Sequence, residues 1–399
     1  MKKMTIALMA LLMAMPMMAQ EEESKEEKKE GYVFTTVKEN PITSVKDQSR
    51  SGTCWCFSGL GLFEAELLRM GKGEHDLCEM FVVHKTMEDR ATAAVRTHGD
   101  VSFAQGGSFS DVAYCLKHYG IVPQEAMPVP GSLYGAETIN HGEVSAIAEA
   151  VVEAIAKGKQ KTVTPVWKKA LCSIYDAYLG ECPETFTYEG KEYTPKSYME
   201  SLGLNIDDYV NLTSYTHHPF YEPFVLEIQD NWRWDVSYNL PLEELMETLD
   251  YALNEGYTVA WGSDVSESGF TRNGIAVMPD VKAEADMTGS DRDHWLGLTP
   301  SQRSNEALEK PCPEMTITQE MRQKAYDNWE TTDDHGMLIY GIAKDQNGAP
   351  YYLVKNSWGN SGKYDGIWYA SKSFVAYKTM DLMLHKKAIP AKIRKKLGL

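Results

Sequence analysis

The chain has 399 residues, a formal net charge of −17 and 43% apolar side chains. That is enough apolar material for a large core, and the length favours two lobes, or one core carrying an insertion, over a single compact domain. So acidic a surface repels phosphates, which excludes DNA or RNA as a principal partner.

Lys2 and Lys3 precede an apolar stretch, Met4–Met18, that ends at the small residue Ala19. The stretch is too short to span a bilayer, and the pattern is that of a signal peptide over residues 1–19. The product is therefore expected to be exported, periplasmic or secreted, and free of the membrane once the signal is removed. Residues 20–31 are an acidic linker: Glu21–Glu30 is a run of Glu, Lys and Ser that reads as a solvated tether.

Folded sequence is expected from Tyr32. Cys56, Leu60, Phe63 and Leu67 recur at spacings of four, three and four. This spacing predicts a helix over Cys54–Met70 with one buried face, stopped by Gly71 and Gly73. Cys56 falls on that face and reads as core. Further helices are predicted over Phe109–Tyr119 and Val144–Ala156. Residues 134–230 mix helical segments with Tyr-rich loops and read as a helical insertion between a helical lobe (32–133) and a β-rich lobe (231–399). In the latter, Met337–Ala343, Tyr351–Val354 and Gly366–Ala370 are β-type runs, the first two joined by the turn Asp345–Gly348. A chain running from helices to strands predicts an α+β fold of two unlike lobes with a cleft between them. There are seven cysteines; an odd count leaves at least one thiol free, and Cys172 and Cys182 are close enough in sequence to pair.

A thiol nucleophile needs a lowered pKa, a nearby base and donors for an oxyanion. Cys54 stands where the loop Ser51-Gly52-Thr53 turns into a helix, and a helix N-terminus favours the thiolate. Gln48 offers a side-chain amide that could hold an oxyanion with the Cys54 N–H. His335, after Asp333-Asp334, begins a strand and is the candidate base. Asn356 can accept its second imidazole N–H and fix the tautomer. Trp358 could roof that hydrogen bond. Each element alone is weak; their order along the chain is what carries weight.

Gln48-x₅-Cys54-Trp55-x-Phe57-Ser58 resembles the papain nucleophile motif, and Asn356-Ser357-Trp358-Gly359 resembles its asparagine motif. With Leu77-x-Glu79-Met80-Phe81, Glu88-Asp89-Arg90-Ala91, Gly106-Gly107 and Tyr119–Pro123, the chain resembles the bleomycin hydrolase/aminopeptidase C branch of the papain-like cysteine peptidases. The resemblance implies a papain-like two-lobe fold, a helical lobe against an antiparallel β-barrel lobe, with a helical insertion. It implies an aminopeptidase acting on peptides or proteins through a Cys54 acyl-enzyme, with no cofactor and no metal, and a homohexameric barrel. Gly106 and Gly107 would run along the substrate backbone, and Asp334 occupies the position before the base where the wider family has Asp or Asn.

Ser51 stands where many relatives have a disulfide-forming cysteine. In the branch a C-terminal arm enters the cleft and limits cleavage to one residue at a time. Ile393–Leu399 is short and basic for that role, which raises an exported endopeptidase or oligopeptidase as the alternative. A transglutaminase-like acyl transferase would end its triad in Asp. A non-catalytic peptide-binding relative would be expected to have lost Cys54, His335 or Asn356. Elsewhere, His217-His218 with Glu222 lacks a recognised metal spacing, Asn211-Leu212-Thr213 is a glycosylation sequon, and Asp291–Asp293 reads as a solvated turn.

Overall fold

The computed structural model describes residues 31–282 and 289–399; the expected signal peptide, and all of the linker but Gly31, lie outside them. Strand β1 (Phe34–Glu39) leads through a long loop to helices α1 (Cys54–Arg69), α2 (Glu79–Arg96) and α3 (Phe109–His118). Next come α4 (Gly142–Ala156), α5 (Val166–Leu179), the hairpin β2 (Phe186–Tyr188) and β3 (Lys191–Tyr193), and α6 (Pro195–Leu202). Strands then dominate: β4 (Tyr209–Thr213), β5 (Pro223–Val225), β6 (Val236–Asn239), then α7 (Leu242–Asn254), β7 (Val259–Ser263) and β8 (Ile275–Ala276). Helices α8 (Gly289–Gly297), α9 (Pro300–Ala307) and α10 (Gln319–Asp327) precede β9 (His335–Asp345), β10 (Pro350–Lys355) and β11 (Ile367–Ser371). Last are α11 (Lys372–Lys378), β12 (Thr379–His385) and α12 (Ala391–Leu397).

The main sheet runs β5-β6-β4-β12-β7-β9-β10-β11-β8, and β1 pairs with β9 beyond the end of β7. It is mostly antiparallel; β4–β6 and β8–β11 are parallel pairs. The three strands expected near the C-terminus are β9, β10 and β11, antiparallel as expected. In the turn between the first two, the Asp345 carboxylate accepts from the N–H groups of Asn347 and Ala349. Asp291–Asp293 lies within α8, not in a turn.

Successive residues of a strand face opposite sides of a sheet. On β9, Leu338 packs with Leu62 and Ala65 of α1. Met337 and Ile339 face the other way, into a core with Leu245 and Leu249 of α7 and Ile393 and Leu397 of α12. Helix α1 therefore covers one face of the sheet, and α7 and α12 cover the other. Residues at the end of the chain stay on that second face: Lys392 pairs with Glu247 at 3.0 Å and Lys396 with Glu244 at 2.5 Å, both on α7.

Helix α1 is buried nearly all round. Its other side, Cys56, Leu60, Phe63 and Leu67, lies in the helical lobe's core with Phe81 of α2, all of them at 0–1% exposure. Complete burial of Leu60, Phe63 and Leu67 contributes roughly 1.5–3 kcal/mol each. Helices α4, α5 and α6 share the same core. All seven cysteines are free thiols, Cys172 and Cys182 included.

A buried charge needs partners, and Glu64 of α1 has three. It accepts from Thr43 Oγ1 at 2.6 Å, Lys46 Nζ at 2.9 Å and the Leu77 N–H at 2.9 Å. Lys46 also meets Glu79 at 2.7 Å and Asp76 at 2.6 Å. Burial opposes its charge, but Glu79 and Glu64 outweigh burial and hold the ammonium well above its ordinary range. This network ties the loop before α1 to the second half of α1 and the start of α2.

The lobes meet closely at Gly336. A Cβ there would lie 2.7 Å from Ser58 Oγ and 3.3 Å from Trp55 Cα. Gly336→Ala is expected to cost about 1–3 kcal/mol, as overpacking does, read as a lower unfolding midpoint in denaturant. An unchanged midpoint would mean that β9 and α1 have room to spare.

Candidate active site

The loop that delivers Cys54 is pinned at each step. The Gly52 N–H donates to Gln105 Oε1 at 2.9 Å, and Ser51 Oγ donates to the Gln48 carbonyl at 2.8 Å and lies 2.6 Å from Thr53 Oγ1. Gln48 is buried. Its Nε2 donates to the Ser51 carbonyl at 2.7 Å, and its Oε1 accepts from Ser357 Oγ at 2.6 Å. Its backbone N–H also donates to the Ser357 carbonyl at 2.8 Å. The amide expected to serve an oxyanion is thus clamped to the Asn356-Ser357 segment, with one Nε2 hydrogen uncommitted among the described residues.

His335 is the first residue of β9, opposite Ser263 of β7. Its Nε2 donates to Asn356 Oδ1 at 2.8 Å, which leaves Nδ1 for the thiol. Asn356 is 1% exposed, and its Oδ1 also accepts the Ser357 N–H at 2.7 Å, so the amide cannot swing away. The Trp358 ring lies over the imidazole, centroids 4.8 Å apart and 34° between planes, and is held edge-on by Phe270 and Trp368. Cys54 and His335 line one cavity.

Of the other expected residues, Gly107 and Asp334 line this cavity. A Cβ on Gly107 would come within 2.8 Å of the Trp55 ring, so only glycine fits. Gly106 sits behind: its carbonyl accepts from Arg90, and a Cβ on it would collide with the Asp230 carboxylate. Asp334 accepts the Val265 N–H at 2.8 Å. Cys56 is core, as expected, its thiol on the Glu79 carbonyl at 3.6 Å. Asn211 is buried and donates to Ser110 Oγ at 2.6 Å, so the sequon is not a surface feature. His217 and His218 both bond Glu227 at 3.0 Å, not Glu222, forming a group whose ligand atoms lie within 4.8 Å of one another.

The sequence left several of the site's residues without an assigned role. Arg90 is buried, gives Nε to the Ser102 carbonyl at 2.7 Å and reaches Asp230 at 3.6 Å, and so supports the Gly106-Gly107 loop. Asp89 and Asp111 both grip Arg233, at 2.9 and 2.6 Å. Three more carboxylates, Asp230, Asp333 and Asp381, line the cavity with Asp334. Asp333 was legible as the neighbour of His335; nothing around Asp381 in the sequence marks it.

The electrostatics correct one expectation. The start of α1 does not give Cys54 a lowered pKa: burial pushes the thiol up to about 12, Asp333 and Asp230 add to the rise, and the N–H groups of Gly336 and Trp55 offset only part of it. Burial likewise pushes His335 down to about 4, partly offset by Asn356. Each group alone resists charging. Moving the thiol proton to the imidazole creates both charges together, and their attraction opposes the desolvation cost.

The Peptidase C1-like family model matches residues 75–291 and 314–398, more than half of the chain. The chain belongs to the Peptidase C1-like family. The matched span begins after Cys54, but similarity to individual relatives extends over most of the chain. Aminopeptidase G of Lactobacillus delbrueckii subsp. lactis is 24% identical over 89% of this chain and 83% of its own length. Aminopeptidase C of Listeria innocua is 22% identical over 86% and 80% respectively. The crystal structure of PepW from Lactobacillus rhamnosis superposes with a TM-score of 0.66 at 19% identity, covering 91% of this chain and 84% of that one. The fold is thus the papain-like α+β fold, and the chain is a papain-like cysteine peptidase.

If the imidazole is what makes the thiolate accessible, Cys54 should lose its reactivity at neutral pH in His335→Ala. Alkylation of Cys54 is then expected to rise only above about pH 9, because desolvation favours the neutral thiol and only alkali removes its proton. Wild-type alkylation rates at pH 7 in that variant would contradict the pairing.

Proposed function

We propose that the chain is an aminopeptidase that cleaves peptide bonds through a Cys54 acyl-enzyme. The observation that carries the reading is the hydrogen bond from His335 Nε2 to Asn356 Oδ1, with Cys54 sharing the cavity into which the other face of the imidazole opens. Cys54 Sγ attacks the scissile carbonyl as its proton passes to His335 Nδ1. The Gln48 amide and the Cys54 N–H receive the oxyanion. His335 then protonates the departing amine, leaving a thioester that a water molecule hydrolyses with His335 as base. Asn356 keeps the imidazole in the required tautomer, and Trp358 keeps water from that hydrogen bond. The names of the relatives, aminopeptidases C and G, support release of N-terminal residues.

The test is a pair of fluorogenic peptides identical except for a free or acetylated N-terminus. Cleavage of the free form alone is expected; equal cleavage of both would replace the aminopeptidase reading with an endopeptidase. Cys54→Ala should abolish turnover. Asn356→Ala should lower kcat by about 10²-fold or more, since it removes the orientation on which general acid–base catalysis depends. Turnover by Cys54→Ala would remove the nucleophile assignment.

A further inference from the structure

The cavity beside the catalytic pair is built for a positive charge. Three strands lay one row of residues across its floor: Asp381 of β12 pairs with Gly262 of β7, which pairs with Gly336 of β9 beside His335. The two glycines leave the floor bare. The Asp381 carboxylate folds back over it, with Oδ1 2.3 Å from where a Gly262 Cβ would stand. Asp333 enters from the segment before β9, and Asp230 and Asp334 complete the acidic wall. Asp334 is bound to the Val265 N–H, and Asp230 is near Arg90. The Asp333 and Asp381 carboxylates have neither a hydrogen bond nor an ion pair among the described residues, and both residues are half-buried.

Carboxylates withdrawn from water without a partner are costly. Burial raises Asp333 well above the carboxylate range, helped by Asp230 and Asp381, and burial raises Asp381 to about 7. Among the described residues, no basic side chain lines the cavity apart from His335. The nucleophile and base in the same cavity mean that the groups flanking the scissile bond must occupy it, and what would complete these carboxylates is a cation brought by the substrate.

We propose that Asp333 and Asp381 form the seat for a cationic nitrogen of the substrate next to the scissile bond. This deepens, and rests on, the peptidase reading. The nitrogen is the α-ammonium of the first residue, as aminopeptidase action presents it; were cleavage to fall further along a chain, it would be the ammonium or guanidinium of a Lys or Arg side chain one residue before the cleaved one. Seating it also offsets the repulsion that Asp333 and Asp230 exert on a Cys54 thiolate. A correctly charged substrate thereby eases the ionisation of its own nucleophile.

Binding can be read without turnover, so the test separates this proposal from the catalytic one. In the Cys54→Ala background, calorimetry would compare three amides: leucinamide, N-acetylargininamide and the neutral N-acetylleucinamide. At least one cationic amide is expected to bind about 10-fold or more tighter than the neutral one, as a charge-assisted hydrogen bond would give. That preference should vanish in Asp333→Asn and Asp381→Asn, which keep shape and remove charge. Preference for leucinamide identifies the α-ammonium as the occupant, and preference for N-acetylargininamide identifies the side-chain cation. Equal binding of all three amides to the Cys54→Ala protein, or a preference that survives both substitutions, would overturn the seat. A chain that shows the preference while the Cys54 enzyme cleaves nothing would refute the peptidase reading alone.

Discussion

The site depends on one close contact between lobes: Gly336, at the start of β9, rests without a side chain against the first turn of α1. Cys54 opens that turn and His335 precedes that glycine, so the packing that joins helix to sheet also brings the thiol and the imidazole to one cavity. Two further constraints hold the pair in place. The Gln48 loop is clamped to Ser357 by two hydrogen bonds, one between side chains and one through backbone, and Gln48 Nε2 holds the Ser51 carbonyl within the loop. The Lys46–Glu64–Glu79 network anchors the same loop to α1 and α2. Movement of either lobe would therefore disturb nucleophile, base and oxyanion donor together.

Desolvation shapes the chemistry as much as proximity does. The cavity disfavours a lone thiolate and a lone imidazolium, and its acidic wall disfavours the thiolate further. Such a site is quiet until proton transfer within the pair makes both charges at once. Quiescence of this kind suits a thiol nucleophile, because a neutral thiol is far less open to oxidation and stray alkylation than a thiolate.

The parts of this arrangement that were legible in the sequence are those written in local pattern. The Cys54 helix, the β9–β11 sheet, and the Gln48, Cys54, His335 and Asn356 positions all follow from spacing, turn residues or short motifs. Other parts were hidden for physical reasons. Helix α2 carries no clean apolar stripe, because buried Glu79, His84 and Arg90 interrupt it. Strands β4, β7 and β12 are short and covered on both faces, so they lack the alternation of a half-exposed strand. The role of Asp381 arises from cross-strand register with Gly262 and Gly336, residues more than a hundred and about fifty positions away in the chain, roughly as sheet topology sets them. The raised Cys54 pKa has the same origin: a helix start is readable, but the depth at which it is buried is a property of the fold.

The most direct measurement is peptide mapping by mass spectrometry after treatment with an epoxysuccinyl cysteine-protease inhibitor. A single adduct on Cys54 is expected, although Cys172, Cys182 and Cys312 are also partly exposed, because among the described residues Cys54 alone shares a cavity with an imidazole positioned by an asparagine, whereas the imidazole near Cys182, that of His84, is held by Asp176 and Glu88. An adduct on one of those other thiols, or no adduct at all, would contradict the assignment of Cys54 as the nucleophile.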